Sequence, residues 1–138
     1  MASISSEALK MVEFIKGCKT YFLATCENGK PKVRPFGTIN VFEDKIYIQT
    51  GKKKDVAKQI ASNPYVEISC FNGEKWLRLS GKLVEDERVE AKKNMLDNYP
   101  ELRSMYNEND VNTVVYYFDE ASAYYGMFTP PFKEIIKM

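Results

Sequence analysis

The sequence has 138 residues, enough for one domain that buries about two-thirds of its unfolded surface without disulfides or metals. Its formal net charge is +1, with 20 basic against 19 acidic side chains, so the charge balance asks for neither nucleic acid nor a membrane surface as partner. There is no histidine, which removes Ser/His and Cys/His catalytic arrangements, His-ligated haem and most zinc sites.

Three cysteines, Cys18, Cys26 and Cys70, stand at wide spacing without a CxxC pair. With no secretory leader before them, they read as free thiols of a cytoplasmic protein. No apolar run approaches the roughly 18 residues of a membrane-spanning helix, so a soluble chain is expected. Aromatic residues make up 13% of the sequence, which suits a sheet-rich fold and offers flat surface to a planar ligand.

In chain order, Ser5 or Ser6 caps a first helix whose apolar positions are Ala8, Met11, Val12 and Ile15, with Gly17 as its stop. The period then changes to two. Tyr21 to Cys26 is a strand, Glu27 to Lys30 a turn built on Asn28-Gly29, and Lys32 to Phe42 a second strand. A turn over Glu43 and Asp44 leads into a third strand, Lys45 to Thr50. After Gly51, the apolar residues Val56, Ala57, Ile60 and Ala61 place a second helix that ends at Ser62, before Asn63-Pro64.

Tyr65 to Phe71 and Lys75 to Glu85 form a hairpin across Asn72-Gly73. Asp86 is expected to cap a helix containing Val89, Met95 and Leu96 that closes at Pro100, and Leu102, Met105 and Tyr106 add one more turn. Two strands remain, Val111 to Phe118 and Ala121 to Phe128, the last ending before Pro130-Pro131. Five or six antiparallel strands with interposed short helices predict an α+β fold on a small barrel, as a single domain over residues 1–138.

The segment richest in chemistry is Ile46 to Ile60, reading IYIQTGKKKDVAKQI. A strand ends at Thr50, and Lys52, Lys53 and Lys54 fall where the first turn of the next helix is expected. Lysine conflicts there with the partial positive charge and open N–H groups of a helix N-terminus, and a phosphate would resolve the conflict. The same triplet also reads as a solvated charge cluster. Arg34 shares a strand face with Phe36, opposite Pro35 and Gly37, and proline marks a sheet edge. It reads equally as a bidentate phosphate ligand or an exposed strand residue. Trp76, the single tryptophan, reads as a half-buried core or interface residue or as a contact for a ring system.

The run FLATCENGKPKVRPFGTINVFEDKIYIQTGKKKDVAKQIASNPYVEI, followed by WLRLSG, resembles the FMN-binding split-barrel family of pyridoxamine 5′-phosphate oxidase. Its flavour is that of the short bacterial general-stress and nitroimidazole-resistance members. The resemblance spans Thr20 to Glu85 and implies an antiparallel Greek-key split β-barrel with short flanking helices. It also implies non-covalent FMN at the interface of a homodimer. The implied flavin contacts are Arg34, Pro35, Phe36, Gly37, Thr38, Ile39, Gln49, Thr50, Lys52, Lys53 and Lys54, with Trp76 meeting the ring. The family's usual basic pair aligns with Asp55 and Val56, so phosphate binding passes to the lysine triplet.

The C-terminal segment YYGMFTPPFKEIIKM lacks the Trp, Arg and His that bind pyridoxal phosphate in full-length oxidases, so vitamin B6 oxidation is not expected. The expected function is that of an FMN-dependent oxidoreductase acting on an unspecified small molecule. The alternatives are a non-catalytic module that binds or senses flavin, haem or deazaflavin, and a nucleic-acid-binding barrel, which the near-zero charge disfavours.

Overall fold

The computed structural model describes residues 2–128 and 133–137. Helix α1 (Ala2–Gly17) buries Ala8, Met11, Val12 and Ile15, the stripe expected from helical spacing. Strands β1 (Tyr21–Glu27) and β2 (Lys30–Phe36) form a hairpin whose turn residues Asn28 and Gly29 both have positive φ, 53° and 76°. This is the backbone that an Asn-Gly pair supplies at least cost. Strands β3 (Asn40–Phe42) and β4 (Lys45–Gly51) pair across Glu43 and Asp44, also at positive φ.

The second strand predicted over Lys32 to Phe42 is two strands. Gly37 to Ile39 leaves the pairing with β1 and crosses to the other side of the barrel, where β3 joins β4. The crossing is pinned by side chains remote in sequence. The Tyr21 hydroxyl donates to the Thr38 carbonyl at 2.5 Å, and the Tyr99 hydroxyl bridges the Ile39 N–H and C=O at 3.2 and 2.9 Å. An alternating pattern continues through the break because Ile39 stays buried.

Helix α2 (Asp55–Ser62) follows β4, and β5 (Tyr65–Phe71) and β6 (Trp76–Asp86) make the next hairpin. Helix α3 (Val89–Asn98) and a 3-10 turn at Pro100–Ser104 precede β7. Asp86 is the last residue of β6 and does not cap α3, whose cap position is Arg88. The strands predicted on either side of Asp119 and Glu120 are one bent strand, β7 (Thr113–Gly126). The bend matches a register shift between Ser80 and Lys82 on β6, with Glu120 at φ 51°. Val111, placed in that strand by its sequence, lies before it and is exposed. A further strand, β8 (Lys133–Lys137), pairs with β7, and the expected stop at Pro130-Pro131 lies outside the described residues.

Among the described residues, eight strands form one antiparallel sheet ordered β2-β1-β5-β6-β7-β4-β3, with β8 also on β7. The sheet curls around Leu23, Ile48, Ile68, Leu77, Leu79 and Val114, all fully buried. β2 and β3, adjacent in sequence, do not pair, so the barrel is split between them. β2, bearing Pro31 and Pro35, is an edge strand, where the missing proline donors cost no ladder bond. Helix α2 packs on β1 and β4 beside this split, and α3 packs on β3, β4 and β7. The fold is an α+β split barrel.

Candidate cofactor site

A cleft of about 200 Å³ opens where β2 leaves β1 and β4 runs into α2. Pro35, Phe36, Gly37 and Thr38 line one side, and Gln49, Thr50 and Lys54 the other. Residues eleven positions apart are joined here by the Thr38 hydroxyl, which donates to the Gln49 carbonyl at 3.3 Å. Gln49 and Thr50 are 5% and 4% exposed. The Gln49 amide donates to the Thr50 carbonyl, while the Thr50 hydroxyl has no hydrogen-bond partner among the described residues.

The lysine triplet does not form the first turn of α2. Lys52 and Lys53 lie in the preceding turn, their N–H groups bound to the Asn112 carbonyl and side-chain oxygen. Lys54 occupies the cap position, and the first turn carries Asp55. The three ammonium groups diverge. Lys52 pairs with Glu85 at 3.2 Å beside a separate groove formed with Lys58, Leu83 and Tyr116, Lys53 is exposed, and only Lys54 lines the cleft. Among the described residues no side chain caps α2, so the N–H groups of Asp55 and Val56 are left open to an anion beside Lys54.

Arg34 projects inward from β2, one residue before Pro35 of the cleft wall. Its Nη1 donates to the Leu23 carbonyl at 3.1 Å and to the Thr25 hydroxyl at 2.8 Å, and its Nη2 to Gln59 Oε1 at 2.5 Å. Burial draws its pKa down from the ordinary value, although a guanidinium remains charged at any physiological pH. Arg78, Arg88 and Arg103 all pair with carboxylates. Among the described residues, Arg34 is the one arginine without such a partner.

Ile39 is buried in the core, with its backbone groups spent on Tyr99. Trp76 is not in the cleft of its own chain. It lies on the outer face of the sheet, opposite Phe71 and near Arg78 and Gly126. Phe22, Val33 and Pro35 share that face, because residues paired across strands point the same way.

Sequence reasoning missed five contributors. Leu102, Met105 and Tyr106 close one side of the cleft from the far end of the 3-10 segment, and nothing local announces so distant a contact. Thr25 and Gln59 were detectable. Each is a polar residue at an inward position, Thr25 two after Leu23 on a strand and Gln59 beside Ile60 on a helix, and each is about 95% buried.

The profile of the family described as pyridoxamine 5′-phosphate oxidase matches residues 9–122. The chain belongs to this family. A NimC/NimA family protein from Clostridium acetobutylicum is 35% identical, with 97% of this chain and 94% of that one covered and a TM-score of 0.91. The pyridoxamine 5′-phosphate oxidase-related, FMN-binding protein of Nostoc punctiforme shares the fold at 16% identity, covering 94% and 86% of the two chains with a TM-score of 0.67. A heme-binding protein from Mycobacterium smegmatis does so at 13% identity, over 97% of this chain and 57% of that one, with a TM-score of 0.72. No curated protein matches. Within the family's split barrel, the cleft at the β2 exit and the β4–α2 junction gathers most of the positions that the sequence resemblance marked.

Proposed function

We propose that this chain binds FMN non-covalently at the split of the barrel and acts as an FMN-dependent oxidoreductase. The observation that carries the reading is Arg34, a partly buried guanidinium next to Pro35 of the cleft wall, with no carboxylate partner among the described residues. Even a partly buried cation without a counter-charge carries a desolvation cost, and a phosphate offsets it with charge and hydrogen bonds. Thr50, Lys54 and the uncapped start of α2 offer further donors on the facing wall. Bound there, FMN supplies hydride or electron transfer. The chain's own residues bind and orient it and exclude water, with Phe36 and Pro35 presenting apolar surface toward the ring.

A cleft of about 200 Å³ is smaller than the ~300–1,000 Å³ usual for sites that enclose a small molecule. A second copy of the chain, seated on the outer face that carries Phe22, Val33 and Phe71, would enlarge the site and bring Trp76 toward the partner's flavin. Free Cys18, Cys26 and Cys70 fit a cytoplasmic location. The second reading, favoured by the shared fold with a heme-binding protein, is a module that binds without catalysis.

Fluorescence titration with FMN and with riboflavin tests the anchor. Arg34→Ala should weaken FMN about tenfold or more, the worth of a hydrogen bond to a charged group, and leave riboflavin unchanged. Parallel loss of both ligands would refute the phosphate assignment. Stopped-flow mixing of the FMN-loaded protein with a reduced nicotinamide nucleotide separates the readings: bleaching of the flavin band supports an enzyme, and its absence with every donor tried favours the binding module.

A further inference from the structure

The cradle around Arg34 contains a selection that the cleft lining does not reveal. Thr25 on β1 and Gln59 on α2 are 4% and 5% exposed, and neither lines the cleft. The Thr25 hydroxyl donates to Gln59 Oε1 at 2.6 Å while accepting from Arg34 Nη1 at 2.8 Å, and the same Oε1 accepts from Arg34 Nη2 at 2.5 Å. These three bonds close a ring. The orientation of the Gln59 amide follows from it, because two donors point at one atom, which must therefore be the oxygen.

A count of donors shows what the ring leaves over. A guanidinium has five N–H groups. Both on Nη1 are used, by Leu23 and Thr25, and one on Nη2 is used by Gln59. The Nε–H and the second Nη2–H remain, and neither has a partner among the described residues. These two lie parallel on one edge of the plane, the fork that grips a phosphate by two bonds.

The ring is also neutral. Arg88 and Arg103 are held by carboxylates, whereas Arg34 is held by a carbonyl, a hydroxyl and an amide. An amide oxygen orients the guanidinium and leaves its charge unspent. A glutamate at position 59 would orient it as well but would cancel that charge and repel a phosphate.

We propose that Thr25 and Gln59 are positioning residues, which fix Arg34 with its Nε–H/Nη2–H edge free and its charge uncompensated so that it receives the dianionic phosphate of a phosphomonoester. The inference rests on the FMN reading above. Thr25 and Gln59 touch no ligand and act through the arginine alone.

A double-mutant cycle tests this, with Kd for FMN and riboflavin read by flavin fluorescence and Tm recorded for each variant. Thr25→Val and Gln59→Leu should each weaken FMN about three- to tenfold, the range of a single hydrogen bond, and leave riboflavin within twofold. Neither should add to the loss once Arg34 is alanine. Thr25→Ser, which keeps the hydroxyl, should bind FMN as the parent does. Gln59→Glu, which keeps the bond to Arg34 without creating a cavity, should lose at least tenfold in FMN affinity and flatten its salt dependence.

If Arg34→Ala leaves the ratio of FMN to riboflavin affinity unchanged, the phosphate reading fails and this inference with it. If Arg34→Ala lowers that ratio while Thr25→Val and Gln59→Leu do not, the FMN reading stands and the positioning role is overturned. Equal losses for both ligands, or losses that persist in the Arg34→Ala background, would also overturn it as a purely structural effect. Should Thr25→Val or Gln59→Leu fail to fold, Gln59→Glu decides: FMN affinity equal to the parent's refutes the need for a neutral acceptor.

Discussion

Replacing Asp86 by asparagine should destabilise the protein at neutral pH and leave it nearly unaffected in strong acid. Asp86 ends β6 with its side chain 8% exposed. One carboxylate oxygen accepts from the Tyr47 hydroxyl at 2.7 Å, and both accept from Arg88, at 2.9 to 3.3 Å. Arg88 reaches on to Glu43 at 2.8 Å, so the cluster joins the β3–β4 turn, the end of β6 and the start of α3. Chiefly through its bonds with Arg88, the Asp86 pKa falls from 3.8 to about 2. At ~1.36 kcal/mol per unit that is at most ~2.4 kcal/mol, and screening by water around the half-exposed Arg88 leaves about 1–2 kcal/mol.

The folded-state pKa is the lower one, so this stability is fully present above about pH 4–5 and is lost as pH falls toward about 2. Urea unfolding followed by tryptophan fluorescence should show Asp86→Asn less stable than the parent at pH 7, with the gap closing between pH 5 and 2. Some acid sensitivity will persist in the variant, because Arg88 also holds the Glu43 carboxyl below its usual pKa. Equal midpoints at pH 7, or a gap that widens on acidification, would refute the reasoning.

Lys52→Met should leave FMN affinity within about twofold and cost under ~1 kcal/mol of stability, since it breaks only a partly exposed ion pair with Glu85. Lys54→Met should weaken FMN several-fold without affecting riboflavin; equal effects of the two substitutions would undo the separation drawn between the lysines. Light scattering of the flavin-loaded protein should give twice the chain mass of 15.9 kDa at micromolar concentration, and a monomeric mass would remove the second copy from the site. Phe22→Glu should shift the dimer toward monomer by burying a charge in the proposed interface.

Local chemistry in the sequence determined a good part of the molecule. The apolar stripes of α1 and α2, the Asn28-Gly29 turn, the period-two run of β5 and the proline-marked edge at β2 all depend on neighbours within a few residues, and all are readable as such. The family followed from motifs of the same local kind, between Thr20 and Glu85. What the sequence left open was set by partners far along the chain. The split at Gly37 to Ile39 depends on Tyr21 and Tyr99, the bend of β7 on the shift at Gly81 in β6, and the wall of the cleft on Leu102, Met105 and Tyr106. Periodicity records which face of a residue is buried and not which strand buries it, so one alternating run became β2 and β3 while two predicted strands became β7. The lysine triplet shows the same limit: three identical neighbours have one local signal, and only Glu85, Asn112 and the cleft itself separate their roles. The neutral cradle of Arg34 required β1, β2 and α2 to meet, and that is a property of the tertiary structure alone.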